Sequence, residues 1–141
     1  MHINAANALK ATKYIQAEET NRVYVLRYEQ SQFHIESIEN MEASESCFSG
    51  GNSVSADGER LCVSLRGDDC LQYYRINKDG SLDFLSRIRC GQMPRDIMFK
   101  ENKVYVACTN DNVIEVYDTK NDLLKKIREY HVVQPVTFAA V

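Results

Sequence analysis

The sequence lacks any apolar run approaching the roughly 18 residues that a membrane-spanning helix requires. Its opening, MHINAANALK, also lacks the charged flank and apolar stretch of a secretory signal, so the expectation is a cytoplasmic protein. Blocks of like charge are missing too: 17 basic and 20 acidic side chains are interspersed and leave a net charge of -3. Nucleic acid and anionic membranes therefore find no electrostatic footprint. The five cysteines, Cys47, Cys62, Cys70, Cys90 and Cys108, include no C-x-x-C pair and no pairing with a nearby histidine. That spacing argues against zinc, and the odd count against a disulfide framework, so neither metal nor cofactor is expected. Cys62 and Cys108 fall inside strand-like runs, where a free thiol packs as a small hydrophobe.

What is present is one domain's worth of material, 141 residues with 44% hydrophobic content, enough for a modest core if the topology closes. KYIQA, RVYVLRYE, FHIESI, RLCVSL, CLQYYRI, LDFLSRI, DIMF, KVYVAC, VIEVYD and VTFAAV are short, mostly alternating and rich in Val, Ile, Tyr and Phe. These are strand patterns. Between them stand Ala56-Asp57-Gly58, Gly67-Asp68-Asp69, Lys78-Asp79-Gly80, Asn110-Asp111-Asn112 and Lys120-Asn121-Asp122, residues that tolerate left-handed backbone or bond their own main chain. The one helix-like run, NDLLKKIREY, is read as a strand pair by comparison with its neighbours. The predicted class is all-β.

The pattern repeats. YIQAEETNRVYVL, LCVSLRGDDCLQYY and VYVACTNDNVIEVY share an alternating strand, a polar turn and a second alternating strand, with anchors Val23, Leu71 and Ile114 spaced 48 and 43 residues apart. Such a period, with four strands per unit, predicts a β-propeller. HIN, NSVS and DIMF supply a further strand ahead of each pair, and TFAAV opens a unit that is not continued. The chain is thus read as a single partial propeller domain, 1–141, with blades at about 1–49, 50–93 and 94–134 and a closing strand at 135–141. Counting back five residues from each anchor gives Glu18, Arg66 and Thr109 at one corner of three successive units. Equivalent positions in a radial array surround a common channel, so these groups are expected to converge on a small polar site. Pro94-Arg95-Asp96 matches Gln134-Pro135-Val136-Thr137 and places Arg95 at the channel end of an inner strand.

SADGERLCVSLRGDDCLQYYRINKDGSL resembles the S-P-D-G-x-x-L-Y-V-S-N-R-G-x-D-S-I segment of the seven-bladed propeller lactonases, the family of bacterial 6-phosphogluconolactonase and the fungal carboxymuconate cyclases. GQMPRDIMF is similar to their G-x-x-P-R-D-F segment, VVQPVTF to their terminal P-V-C-I-x-F, KYIQAEETNRVYVLRY to their Y-V-V-N-E-L-S-N-T-V-x-V-Y, and MHI to a remnant of P-R-H-I. The resemblance implies a hydrolase that opens a sugar lactone, phosphorylated or carboxylated, by adding water. Ring opening needs a base for the water and a donor for the developing oxyanion. Carried over, Glu18 or His2 is the base, Arg66 and Arg95 hold the oxyanion or the substrate's anionic group, and no metal is required.

The departures carry expectations of their own. Gly51-Asn52 stands where the family has a carboxylate, Leu65 precedes Arg66 in place of asparagine, and Ala56 replaces a proline. Three units correspond to the C-terminal portion of a seven-unit ring, so self-association, or completion by a separate propeller fragment, is expected. A non-catalytic remnant or interaction module is the alternative reading. A WD-type scaffold is disfavoured by the absence of tryptophan and of a Gly-His signature. Arg66 beside Asp68 and Asp69 has a plain surface-pairing alternative, Arg95 beside Asp96 a bracing one, and His34 and His131 receive no role.

Overall fold

The computed structural model describes residues 12–139. Three antiparallel meanders follow one another: β1 (Thr12–Ala17), β2 (Arg22–Glu29) and β3 (Gln32–Asn40); β4 (Ser49–Val54), β5 (Arg60–Leu65), β6 (Cys70–Ile76) and β7 (Leu82–Arg89); and β8 (Pro94–Lys100), β9 (Lys103–Cys108), β10 (Val113–Asp118) and β11 (Lys125–His131). The inner strand expected from HIN, and with it His2, lies outside the described residues. Asn21, Asp69 and Asn112 close equivalent hairpins at φ 50°, 51° and 56°, a backbone that Asn and Asp adopt more readily than most residues. Their carbonyls accept the amides of Met41, Cys90 and Val132 at 3.0, 2.9 and 3.0 Å, which makes these three further equivalent positions.

Strand alternation distributes the core into two layers, one on each side of the middle blade. In β5, Leu61, Val63 and Leu65 face Val23 and Val25 of the first sheet. Cys62 faces the other way, with Leu71 and Tyr73 of β6, onto Ile97, Val104 and Val106 of the third. Burying each such Leu or Val contributes about 1.5–3 kcal/mol, so blade stacking carries most of the stability. Among the described residues both flanking sheets expose apolar side chains: Ile35 of β3 is 63% exposed and Ile127 of β11 48%. Among the described residues no helix is long and apolar enough to cross a membrane.

Two expectations are corrected. NDLLKKIREY is neither a helix nor a strand pair: a 3-10 turn at Lys120–Asp122 leads into the single strand β11. Asn121 and Asp122 both take positive φ, 61° and 58°, which breaks the extended backbone that a first strand would need. Over its described part, to residue 139, the TFAAV segment forms no strand. Among the described residues no strand pairs with it, and Asp96 holds it, accepting Thr137 Oγ1 at 2.9 Å and the Phe138 amide at 2.8 Å.

At the far end of the blades Asp122 ties sheet three to sheet two. It accepts Arg60 Nε at 2.9 Å and Arg75 Nη2 at 2.7 Å. Hydrogen bonds from Arg60 and then Arg75 hold its carboxyl below the usual aspartate range. A lowered value means that the contribution is complete above the ordinary aspartate pKa and is lost as pH falls through the lowered one. Asp122→Asn is expected to cost about 1 kcal/mol at neutral pH. In urea melts at successive pH values, the difference from wild type should shrink in acid; a pH-independent difference would contradict the assignment.

Candidate functional site

The site lies at the blade end where β1, β5 and β9 finish and where β4 and β8 begin. Glu18 follows β1, Arg66 follows β5 and Thr109 follows β9, so the three corners foreseen from the repeat occupy the same end. The structure joins two of them directly, since Arg66 Nη2 is ion-paired with Glu18 Oε1. Arg66 Nε also donates to the Ser49 carbonyl at 3.0 Å, which fixes the guanidinium plane. The Arg66 side chain is 19% exposed and that of Glu18 61%, so a largely buried cation presents an outward carboxylate. Neither Asp68 nor Asp69 is the partner: Asp68 takes Arg87 and Ser44, and Asp69 accepts the Met93 amide at 2.9 Å.

Arg95 owes its position to a β-bulge. Pro94 pairs with Cys108 and Asp96 with Ala107, leaving Arg95 as the extra residue of β8. A bulge re-aims the side chain it inserts, and Arg95 is exposed with no ion pair or side-chain hydrogen bond among the described residues. The bracing role falls to Asp96 alone. Thr109 Oγ1 donates to the Pro135 carbonyl at 2.6 Å, so its hydroxyl seats the last segment.

The middle blade has the same bulge. Ser49 pairs with Leu65 and Asn52 with Val63, leaving Gly50 and Gly51 opposite Ser64. A Cβ on Gly51 would lie 2.8 Å from Asp96 Oδ1, 3.0 Å from Asp96 Cα and 3.1 Å from the Ile97 amide. The close approach of β8 thus leaves no room here for the carboxylate that the family pattern carries. A Gly-Gly pair inside a strand is the sequence signal of such an approach.

A second polar cluster lies between sheets two and three and was invisible to cysteine spacing. One donor atom from each of Cys90, Cys108 and Glu115 lies within 4.8 Å of the other two. Glu115 Oε2 accepts the Gly91 amide at 3.1 Å and the Tyr117 hydroxyl at 2.6 Å, and Oε1 accepts Lys126 Nζ at 3.1 Å. Burial pushes this carboxyl up, but the bonds from Tyr117, Gly91 and Lys126 outweigh it and leave it below the usual range.

Radially stacked meanders with equivalent corners at one end define part of a β-propeller. The chain belongs to the seven-bladed β-propeller lactonases: the family described as "Lactonase, 7-bladed beta-propeller" matches residues 2–140. Among curated proteins, none matches the chain. Solved structures share the fold. A Bacteroides fragilis protein provisionally described as a 6-phosphogluconolactonase superposes with a TM-score of 0.85 at 23% identity, over 90% of this chain and 38% of that one. The periplasmic gluconolactonase of Pseudomonas aeruginosa gives 0.81 at 22%, over 96% and 40%. A Bacteroides uniformis protein described like the first gives 0.83 at 22%, also over 96% and 40%. The chain therefore spans about two fifths of the length of these structures.

Proposed function

We propose that the chain contributes three blades and the arginine side of the active site to a hydrolase that opens a sugar lactone. The observation that carries this reading is the Glu18–Arg66 pair, two repeat-equivalent corners of adjacent blades joined at one end of the blades. With Nε on Ser49 and Nη2 on Glu18, Nη1 of Arg66 makes no bond among the described residues and is free to donate. Water adds to the lactone carbonyl carbon while Glu18 accepts its proton. Arg66 stabilises the oxyanion as it forms, and collapse of the tetrahedral intermediate expels the ring oxygen, which takes the proton back from Glu18 to become the hydroxyl of the open acid. Arg95, unpaired and exposed, binds the substrate's phosphate or carboxylate. His2, outside the described residues, is the alternative base. Phosphorylated gluconolactone is the first substrate to test, because two of the similar structures are described as 6-phosphogluconolactonases.

Completion of the ring, by further copies or by further blades, belongs to the same proposal, because among the described residues each flanking sheet exposes apolar side chains. Light scattering on the purified chain, with lactone hydrolysis followed on the same fractions, tests both parts. Ring opening above the rate in water, confined to assembled fractions, is the expected result. Assembled, folded fractions with no activity on phosphorylated or carboxylated lactones would favour the second reading, a non-catalytic interaction module, to which the crowded Gly51 position points.

A further inference from the structure

We infer that Cys90, Cys108 and Glu115 form a zinc site that staples the second blade to the third. The internal repeat supplies the comparison. Cys90 occupies the position of Met41, since their amides bond the equivalent turn carbonyls of Asp69 and Asn21. Cys108 ends β9 as Leu65 ends β5, and Glu115 lies seven residues further on, as Gln72 does after Leu65. Both copies use the polar residue in the same way. Tyr74 donates to Gln72 Oε1 and Tyr117 to Glu115 Oε2, each at 2.6 Å. Each also holds the crossover into its own blade, Gln72 Nε2 through the Glu42 carbonyl at 3.0 Å and Glu115 through the Gly91 amide at 3.1 Å.

The interface between the first two blades shows what the fold itself requires at these positions: two apolar side chains and a neutral amide. Met41, Leu65 and Gln72 are all buried. The next interface instead places two thiols and a carboxylate there. Packing does not call for that change, and together the three make a ligand set for a thiophilic divalent ion.

The dimensions suit zinc. Around an ion with Zn–S of about 2.3 Å and Zn–O of about 2.0–2.2 Å, tetrahedral ligands stand roughly 3.3–3.8 Å apart. The three donor atoms, already within 4.8 Å of one another, need to close by roughly 1 Å. A cavity of about 540 Å³ lined by Cys90, Gly91, Glu115 and Lys126 opens onto two of the three ligands, with the fully buried Cys108 behind them, and gives entry to the ion and to a water as fourth ligand. On binding, both thiols release their protons to solvent and two Zn–S bonds form. Glu115 exchanges Lys126 for the metal, and Lys126 keeps its second partner, Glu129, at 2.8 Å. Two thiolates, one carboxylate, Zn²⁺ and the adjacent ammonium sum to zero charge, so the buried site is balanced. Asp111 and Arg89 at the cavity mouth complete the charged groups facing it.

The test is zinc titration of the reduced, metal-free chain against a chromophoric chelator, with Co²⁺ as spectroscopic probe. One equivalent of tightly bound Zn²⁺ is expected. So are a thiolate-to-cobalt charge-transfer band, tetrahedral d–d absorption and a higher melting temperature with zinc. The combined replacement Cys90→Met, Cys108→Leu and Glu115→Gln installs the residues that the first interface already buries and should abolish all of these signals. Cys90→Ser, a milder change at a half-buried position, should weaken zinc by roughly 100-fold or more. Absence of stoichiometric binding, or binding that survives these replacements, overturns the inference. None of these readouts requires catalysis.

Discussion

In a ring-complete assembly, Arg66→Ala is expected to lower kcat for lactone opening by about 100- to 1,000-fold, the usual cost of removing one oxyanion donor. Arg66→Lys should recover little of this. A lysine keeps the charge, but it cannot hold Ser49 and Glu18 with two nitrogens and still present a third N–H. Because Arg66 also braces the start of β4, the melting curve has to accompany the kinetics. A purely structural role predicts a lower melting temperature with an undiminished kcat in the surviving folded fraction. Arg95→Ala separates the two arginines. Arg95 braces nothing among the described residues, so its loss should leave the melt unchanged and raise KM by roughly 10- to 100-fold through one missing charged hydrogen bond. A KM indifferent to Arg95, or a kcat indifferent to Arg66, would remove that residue from the proposed mechanism.

How much of this was legible beforehand follows from the range of each interaction. RLCVSL, CLQYYRI, KVYVAC and VIEVYD coincide with β5, β6, β9 and β10 because alternation and turn chemistry are local. The repeat put Glu18 and Arg66 at one corner, since period survives in sequence. It did not give their direct pairing, because Asp68 and Asp69 are nearer in sequence and equally acidic. The freedom of Arg95 depends on a bulge, which is a property of strand register and leaves no mark in the residues PRD. The thiol cluster draws on a crossover and two strands, and spacing rules built for adjacent ligands do not see it. The misread segments, NDLLKKIREY and TFAAV, stand at the last blade and beyond it, where flanking neighbours no longer decide what a weak pattern becomes.

Gly50→Ala is expected to destabilise the chain by about 3 kcal/mol, a large loss for adding one methyl group. The added Cβ would lie 2.3 Å from Ser64 Oγ and 2.4 Å from the Pro94 carbonyl oxygen. The first neighbour has little freedom, since Ser64 is fully buried and its hydroxyl accepts the Gly51 amide at 2.9 Å. The second is backbone of the next blade, so relief requires β8 to move away from β4 and the packing of Ile97 against the middle blade to loosen. Gly58→Ala is the matched control. Nothing lies within 4 Å of its Cβ, and the φ of 75° alone costs about 1 kcal/mol. Equal losses at the two glycines in denaturant melts would show that crowding is not the cause. The Gly50 change should reach the site as well, because its Cβ would also stand 3.1 Å from Arg66 Cγ. Displacing that stem shifts the guanidinium from Ser49 and Glu18, so the close approach that excludes a side chain at Gly50 is also what aims Arg66.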